Sequence, residues 1–251
     1  MIYYFSGTGN SRYAAEKLAR LTDDTCVNIA SIYNGTVKSV EGKKDVTGFV
    51  FPVYYSGLPE MVKRFASHPQ IREALGSYVY CVITCGAETA AADEMLARAL
   101  GREPDLSISL KMPDNYVIAY NPSGSEEARE ILRRADSKLD KTAQAIISQG
   151  RYRSPGFKKR LLTFVMYPFY GLFRTTLFYR ADGNCTGCGL CAKVCPDRAI
   201  EIRNDRPVWL SKRCQHCTAC INRCPERAIQ FGRATARRGR YYIMNIGNGE
   251  E

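Results

Sequence analysis

Ile2-Tyr3-Tyr4-Phe5-Ser6-Gly7-Thr8-Gly9-Asn10-Ser11 is the stretch from which the N-terminal fold is read. An apolar run ends in a loop of glycines and hydroxyls. Residues 11–21 then carry Ala14, Ala15, Leu18 and Ala19 at helical spacing. The same succession recurs downstream. Residues 26–29, 47–53, 78–84 and 106–112 read as strands, the second and third of these as central ones because their apolar runs are unbroken. Residues 59–66 and 89–100 read as helices. Residues 125–149 read as a long final helix with Glu126 and Glu127 in its first turn. Alternating strands and helices predict an α/β fold, a parallel sheet with helices on both faces.

Five strands suit a doubly wound, flavodoxin-like sheet better than a barrel. In that arrangement, ligands bind where loops leave the carboxyl ends of the strands. Ser6, Gly7, Thr8, Gly9, Asn10 and Ser11 form such a loop, with amides and hydroxyls at the positive end of a helix where an anion is favoured. The loop has no lysine followed by Ser or Thr, so it is not a Walker loop, and it is not the dinucleotide G-x-G-x-x-G. It is similar to the phosphate loop of flavodoxins, which hold the FMN phosphate without a basic side chain. Pro52, Val53, Tyr54, Tyr55, Ser56 and Gly57 follow the third strand, and Thr84, Cys85, Gly86 and Ala87 follow the fourth. Tyr54 or Tyr55 is expected to stack on the flavin ring, and Gly57 and Gly86 to bring amides to its polar edge. The plainer alternatives are rim packing for the tyrosines and simple capping for the first loop. Cys85 is expected to line the site and not to act as a nucleophile, because no base lies near it in sequence.

A second pattern governs the other half. Cys185-x2-Cys188-x2-Cys191-x3-Cys195-Pro196 is repeated as Cys214-x2-Cys217-x2-Cys220-x3-Cys224-Pro225. A shift of 29 positions also lays Arg198 on Arg227, Ala199 on Ala228 and Ile200 on Ile229. This is an internal duplication, and its spacing is that of [4Fe–4S] ligation, in which the fourth cysteine of one run serves the other cluster. The expected ligand sets are Cys185, Cys188, Cys191 and Cys224 for one cluster, and Cys214, Cys217, Cys220 and Cys195 for the other. Zinc sites more often use two separated cysteine pairs. A Rieske centre needs two histidines in place of cysteines, and here every cysteine is present, so His216 is expected near the cluster or at the surface. Trp209 is expected to pack.

The charge is uneven. Residues 1–150 carry 17 Lys and Arg against 18 Asp and Glu; residues 151–251 carry 19 against 7. Two oxidised clusters with their thiolates contribute about −4, so the second half stays basic when loaded. An acidic redox protein is the expected partner. Nucleic acid is not expected, since no binding motif accompanies the charge. Eleven cysteines and an N-terminus that reads directly as a strand predict a reducing, cytoplasmic setting.

The expected domains are a flavodoxin-like FMN domain at 1–150, a basic and aromatic connector at 151–181, a small α+β two-cluster ferredoxin domain at 182–232, and a basic tail at 233–251 that runs to Gly247, Asn248 and Gly249. The connector follows Lys158, Lys159 and Arg160 with Leu161, Phe164, Val165, Tyr167, Phe169, Tyr170, Phe173 and Phe178. Its ordinary reading is that the rings pack onto both domains; the second is an interfacial membrane anchor.

The chain resembles the flavodoxin–ferredoxin fusion proteins of anaerobic bacteria, labelled ferrodoxins, in its YYFSGTGNS start, its P-x-YYSGLP-like second loop and its C-terminal pair of four-iron sites. The likeness is strongest at residues 2–15, 51–65 and 182–232. It implies electron transfer, with no defined substrate. The leading expectation is a relay between the two clusters and FMN, the clusters moving single electrons and the flavin storing two. The alternatives are a flavin oxidoreductase reducing a small acceptor, with only Glu88 near the loops as an acid, and a ferredoxin module whose flavin-free N-terminal domain binds a partner. No catalytic residue is assigned.

Overall fold

The computed structural model describes residues 1–35, 45–152, 157–210 and 213–243. The predicted tail residues Gly247, Asn248 and Gly249 lie outside them. Contacts divide the chain into two compact units. The first holds residues 1–6, 10–112 and 130–171; the second holds 7–9, 113–129 and 172–251.

In the first unit the chain runs β1 (Ile2–Tyr4), α1 (Asn10–Leu21), β2 (Cys26–Asn28), α2 (Ile29–Tyr33), β3 (Val46–Pro52), α3 (Glu60–Ala66), α4 (Pro69–Glu73), β4 (Tyr78–Cys85), α5 (Ala92–Leu100) and β5 (Leu106–Lys111). The long helices α6 (Ser125–Ile147) and α7 (Phe157–Phe173) follow. Strand order is β2-β1-β3-β4-β5 and every pairing is parallel. This is the doubly wound, flavodoxin-like order. Register sets Ile2 opposite Cys26 and Gly48, and Val46 opposite Tyr78. β4 is buried at all eight positions, as a central parallel strand covered on both faces must be. Phe5, Phe49, Val50, Phe51, Val79 and Val82 form much of the core. α1 packs on it through Ala14, Ala15 and Leu18, and α6 buries Ala128, Ala135, Leu139, Ala143 and Ile146.

Two short helices, α2 and α4, were not expected. α2 is capped by the Asn28 side chain accepting from the Ala30 amide, and α4 begins at Pro69. The connector read at 151–181 is mostly α7, and as far as Gly171 it belongs to the first unit.

The second unit contains β6 (Tyr179–Ala181), α8 (Leu190–Lys193), β7 (Ile200–Arg203), β8 (Arg206–Trp209), α9 (Ala219–Asn222) and β9 (Ile229–Phe231), then a 3-10 turn at Ala234–Arg237. β6 pairs antiparallel with β9, and β7 with β8. Its core joins Val117, Tyr179, Cys191, Ile200, Ile221 and Ile229, with Trp209 packed against them. Trp209 stacks on Tyr179 at 5.8 Å between ring centroids.

The described part of the basic tail belongs to the second unit and is bonded to it. Arg238 donates to the Val117 and Ile118 carbonyls, and Arg240 donates to those of Ile221, Ile229 and Thr235. Tyr241 is buried. These arginines close the second unit by pairing with its backbone oxygens.

Candidate metal centres and strand-end loops

The duplication seen in the cysteine spacing is repeated in backbone geometry. α8 starts after Gly187 and Gly189, at φ 71° and 77°. The equivalent residues ahead of α9 are His216 and Thr218, at φ 58° and 55°. Arg198 and Arg227, also equivalent, lie at 48° and 47°. The cysteine loop therefore demands left-handed residues at fixed places. At the first two places the first copy has glycine, which adopts them without strain, and the second has His216 and Thr218; these and the two arginines hold the conformation at a cost of order 1–3 kcal/mol each. Thr218 Oγ1 accepts from the Asn222 side chain at 2.9 Å, and His216 Nδ1 lies 2.9 Å from the Tyr116 hydroxyl.

Each run lends three cysteines to one cavity and its fourth to the other. One cavity is lined by Cys185, Cys188, Cys191 and Cys224, with Ile202 and Ile229 as apolar wall. The other is lined by Cys195, Cys214, Cys217 and Cys220, with Tyr179 and Trp209. All eight cysteines are free. Among the described residues, no three His, Cys, Asp or Glu groups converge to hold a single metal ion.

Burial pushes the Cys191 and Cys214 thiols up to about 11, and those of Cys217 and Cys220 higher still. Four thiols around an apolar cavity are a donor set that becomes thiolate when iron supplies positive charge. The residues fit a cubic cluster in each cavity. Two amides already point at sulfur: Ala199 N to Cys195 Sγ and His216 N to Cys214 Sγ, both at 3.3 Å. Such bonds favour the more negative sulfur and so raise a cluster's potential. Burial pulls His216 down to about 4, with Arg174 adding to the shift, so the imidazole is neutral near pH 7.

The three loops read as a flavin site do lie at the carboxyl ends of β1, β3 and β4. Ser11 Oγ meets Thr84 Oγ1 at 2.7 Å, and Val53 N donates to the Thr84 carbonyl, so the second and third loops and the start of α1 are tied together. Tyr54 and Gly57 exchange both backbone bonds across a tight turn whose central residues, Tyr55 and Ser56, sit at φ 47° and 59°. Cys85 is buried, its sulfur 3.6 Å from Ser109 Oγ; Gly86 is half-buried, and Ala87 and Glu88 are exposed.

The chain's own groups cover part of the loops read as the flavin site. Tyr170 stacks on Tyr55 and lies 5.9 Å from Tyr54. Tyr167 covers Gly57 so closely that a methyl there would overlap its ring, and its hydroxyl donates to the Leu58 carbonyl at 2.8 Å. Thr163 donates to the Ser56 carbonyl and accepts from the Ala91 amide. Gly7, Thr8 and Gly9 group by contact with the second unit: Gly7 abuts the Cys217 backbone, Thr8 Oγ1 accepts from Asn115 at 2.7 Å, and Gly9 abuts Ile243. An isoalloxazine cannot stack on the face of Tyr55 that Tyr170 covers. Sequence reasoning missed Thr163, Tyr167 and Tyr170 as loop partners, and nothing in the composition of 113–129 pointed to Asn115 or Tyr116.

Comparison with known proteins bears on the cysteine region directly. Residues 178–225 match the 4Fe-4S dicluster domain. The chain carries an iron–sulfur domain, and its chemistry is electron transfer. A putative flavoprotein from Bacteroides uniformis superposes with 19% identity and a TM-score of 0.33, over 44% of this chain and 88% of that one. The Trp repressor binding protein from Bacillus subtilis superposes with 16% identity and a TM-score of 0.38, over 62% and 100%. Likeness at this level leaves the sheet assignment to rest on strand order itself. The comparison with curated proteins returns no match. A flavodoxin-like sheet and a dicluster domain together make a flavodoxin–ferredoxin architecture.

Proposed function

We propose that the chain is an electron carrier with two [4Fe–4S] clusters. Cys185, Cys188, Cys191 and Cys224 hold one, and Cys214, Cys217, Cys220 and Cys195 hold the other. The observation that carries this reading is the composition of the two cavities, each lined by three cysteines of one run and the fourth of the other. A cluster accepts one electron from a donor and returns it to an acceptor, with no bond to carbon made or broken. The basic character of residues 151–251 supports an acidic redox protein as the partner in that exchange.

Onward transfer to FMN is the second reading. One observation favours it: a lysine-free loop of hydroxyls and glycines between β1 and α1, beside two other loops at strand ends. It requires Tyr167 and Tyr170 to withdraw from Gly57 and Tyr55.

Anaerobic purification followed by iron, sulfide and flavin analysis tests both. The carrier reading expects about eight iron atoms per chain and two reducible clusters. Zinc without sulfide would end it. A full equivalent of FMN retained through gel filtration would establish the relay reading and require α7 to move; its absence leaves the clusters as the whole redox complement.

A further inference from the structure

α7 wears its polarity inside out. Thr163, Tyr167 and Tyr170 are the positions that turn toward the first unit, where their hydroxyl-bearing side chains engage Ser56, Leu58 and Tyr55. The opposite positions are apolar and exposed. Leu161 is 55% exposed, Phe164 79%, Val165 51% and Leu172 70%, and Phe169 is exposed beside them. Their spacing, i, i+3, i+4, i+8 and i+11, makes one continuous helical stripe. An exposed apolar stripe of this size marks an interaction surface in a soluble protein.

The charge around the stripe says what covers it. Residues 151–181 contain seven Lys and Arg and no Asp or Glu. A second copy of this chain meeting the stripe about a two-fold axis would set the same basic segment against itself. A partner that offers both hydrocarbon for Phe164 and Leu172 and negative charge for the flanking cations is an anionic lipid surface. Helix length fits a helix lying in the surface plane and not across it. α7 has 17 residues, and among the described residues no helix is long and apolar enough to cross a membrane. We propose that α7 docks the protein on anionic membranes, with Leu161, Phe164, Val165, Phe169 and Leu172 entering the headgroup region and the neighbouring Lys and Arg contacting lipid phosphates.

The test is sedimentation of the cluster-loaded protein with two vesicle preparations, one of phosphatidylglycerol mixed with phosphatidylcholine and one of phosphatidylcholine alone. The proposal expects binding to the first, weakening as salt is added, and little binding to the second. The double variant Phe164→Ser with Leu172→Ser alters two exposed residues outside the cysteine sites. It is expected to reduce vesicle binding by about ten-fold or more, while cluster absorbance and Tm stay near those of the parent. Three results would each overturn the proposal: no sedimentation with either vesicle, binding to the anionic vesicles that the double variant leaves intact, or a solution dimer that the double variant dissociates.

Discussion

Tyr170 stacks on Tyr55 with ring centroids 5.7 Å apart and planes 29° from parallel. The pair brings an almost fully buried helix residue onto a turn held in a strained left-handed conformation. Offset ring stacking and buried aromatic area together offset that strain. The turn is thus held by its own helix, and its energetics are open to a direct measurement next door, at Gly57.

Gly57→Ala adds a methyl where the Tyr167 ring already lies. The expected loss is about 1–3 kcal/mol, from displacing the ring and its bond to Leu58. In a Tyr167→Ala background the same methyl finds room, so the two changes should be non-additive by at least about 0.5 kcal/mol. Urea unfolding of the four proteins in the cycle measures this. Strict additivity would mean the ring does not press on the glycine.

The proposed crossing of the fourth ligands makes a sharper statement about iron. Cys224→Ala should lose the cluster shared with Cys185, and Cys195→Ala the one shared with Cys214. Combining Cys224→Ala with Cys185→Ala should therefore remove no more iron than either change alone. Combining Cys224→Ala with Cys214→Ala should remove both clusters. Iron analysis and the spectrum of the reduced protein distinguish these outcomes, and the reverse pattern would mean that each run binds its own cube.

Arg240 is the main closure of the second unit's C-terminal segment, donating to carbonyls of Ile221, Ile229 and Thr235. Arg240→Ala takes this donor from the Ile221 and Ile229 carbonyls, while Thr235 keeps the Arg238 amide, and should cost about 1–3 kcal/mol, seen as a lower Tm with earlier cluster loss. Arg240→Lys should recover only part of this, because one ammonium cannot span the acceptors that the planar guanidinium reaches.

Tyr13 gives an alkaline signature. Its hydroxyl donates to Asp136, and burial first, then that carboxylate, push it from 10.0 up to about 12. The folded state then keeps a proton that the unfolded state has released. The stabilisation is complete below pH 10, falls as pH rises from there, and is gone above about 12. The difference in unfolding free energy between the parent and Tyr13→Phe should be flat below pH 10 and shift in favour of the variant above it. A difference that stays flat throughout would dissociate Tyr13 from the titration.

The sheet was legible because β3 and β4 are unbroken apolar runs between loop signals, a pattern that central parallel strands require. The cysteine cavities were legible because ligand spacing is itself a geometric constraint. Three things were not. α7 mixes exposed and buried aromatics and contains Pro168, so its periodicity reads as a connector. Residues 113–129 have no composition that ties them to the cysteine module, yet Val117 lies in its core and Asn115 bonds Thr8. The arginines at 238 and 240 look like a solvated charge run, and only tertiary contacts reveal the carbonyls they serve.

The discontinuity of the second unit has a consequence for how the protein is made. Gly7–Gly9 and residues 113–129 leave the ribosome long before Cys224, yet they belong to the body that Cys224 helps to complete. Val117 belongs to a core that also needs Ile200, Ile221 and Ile229, all synthesised much later. The early segments must wait, and with the proposed ligand sets cluster insertion cannot be finished on a growing chain that stops short of the second cysteine run. Nor is the iron–sulfur part a cassette that recombination could move whole, since a cut ahead of Leu172 would leave Val117 and Asn115 behind.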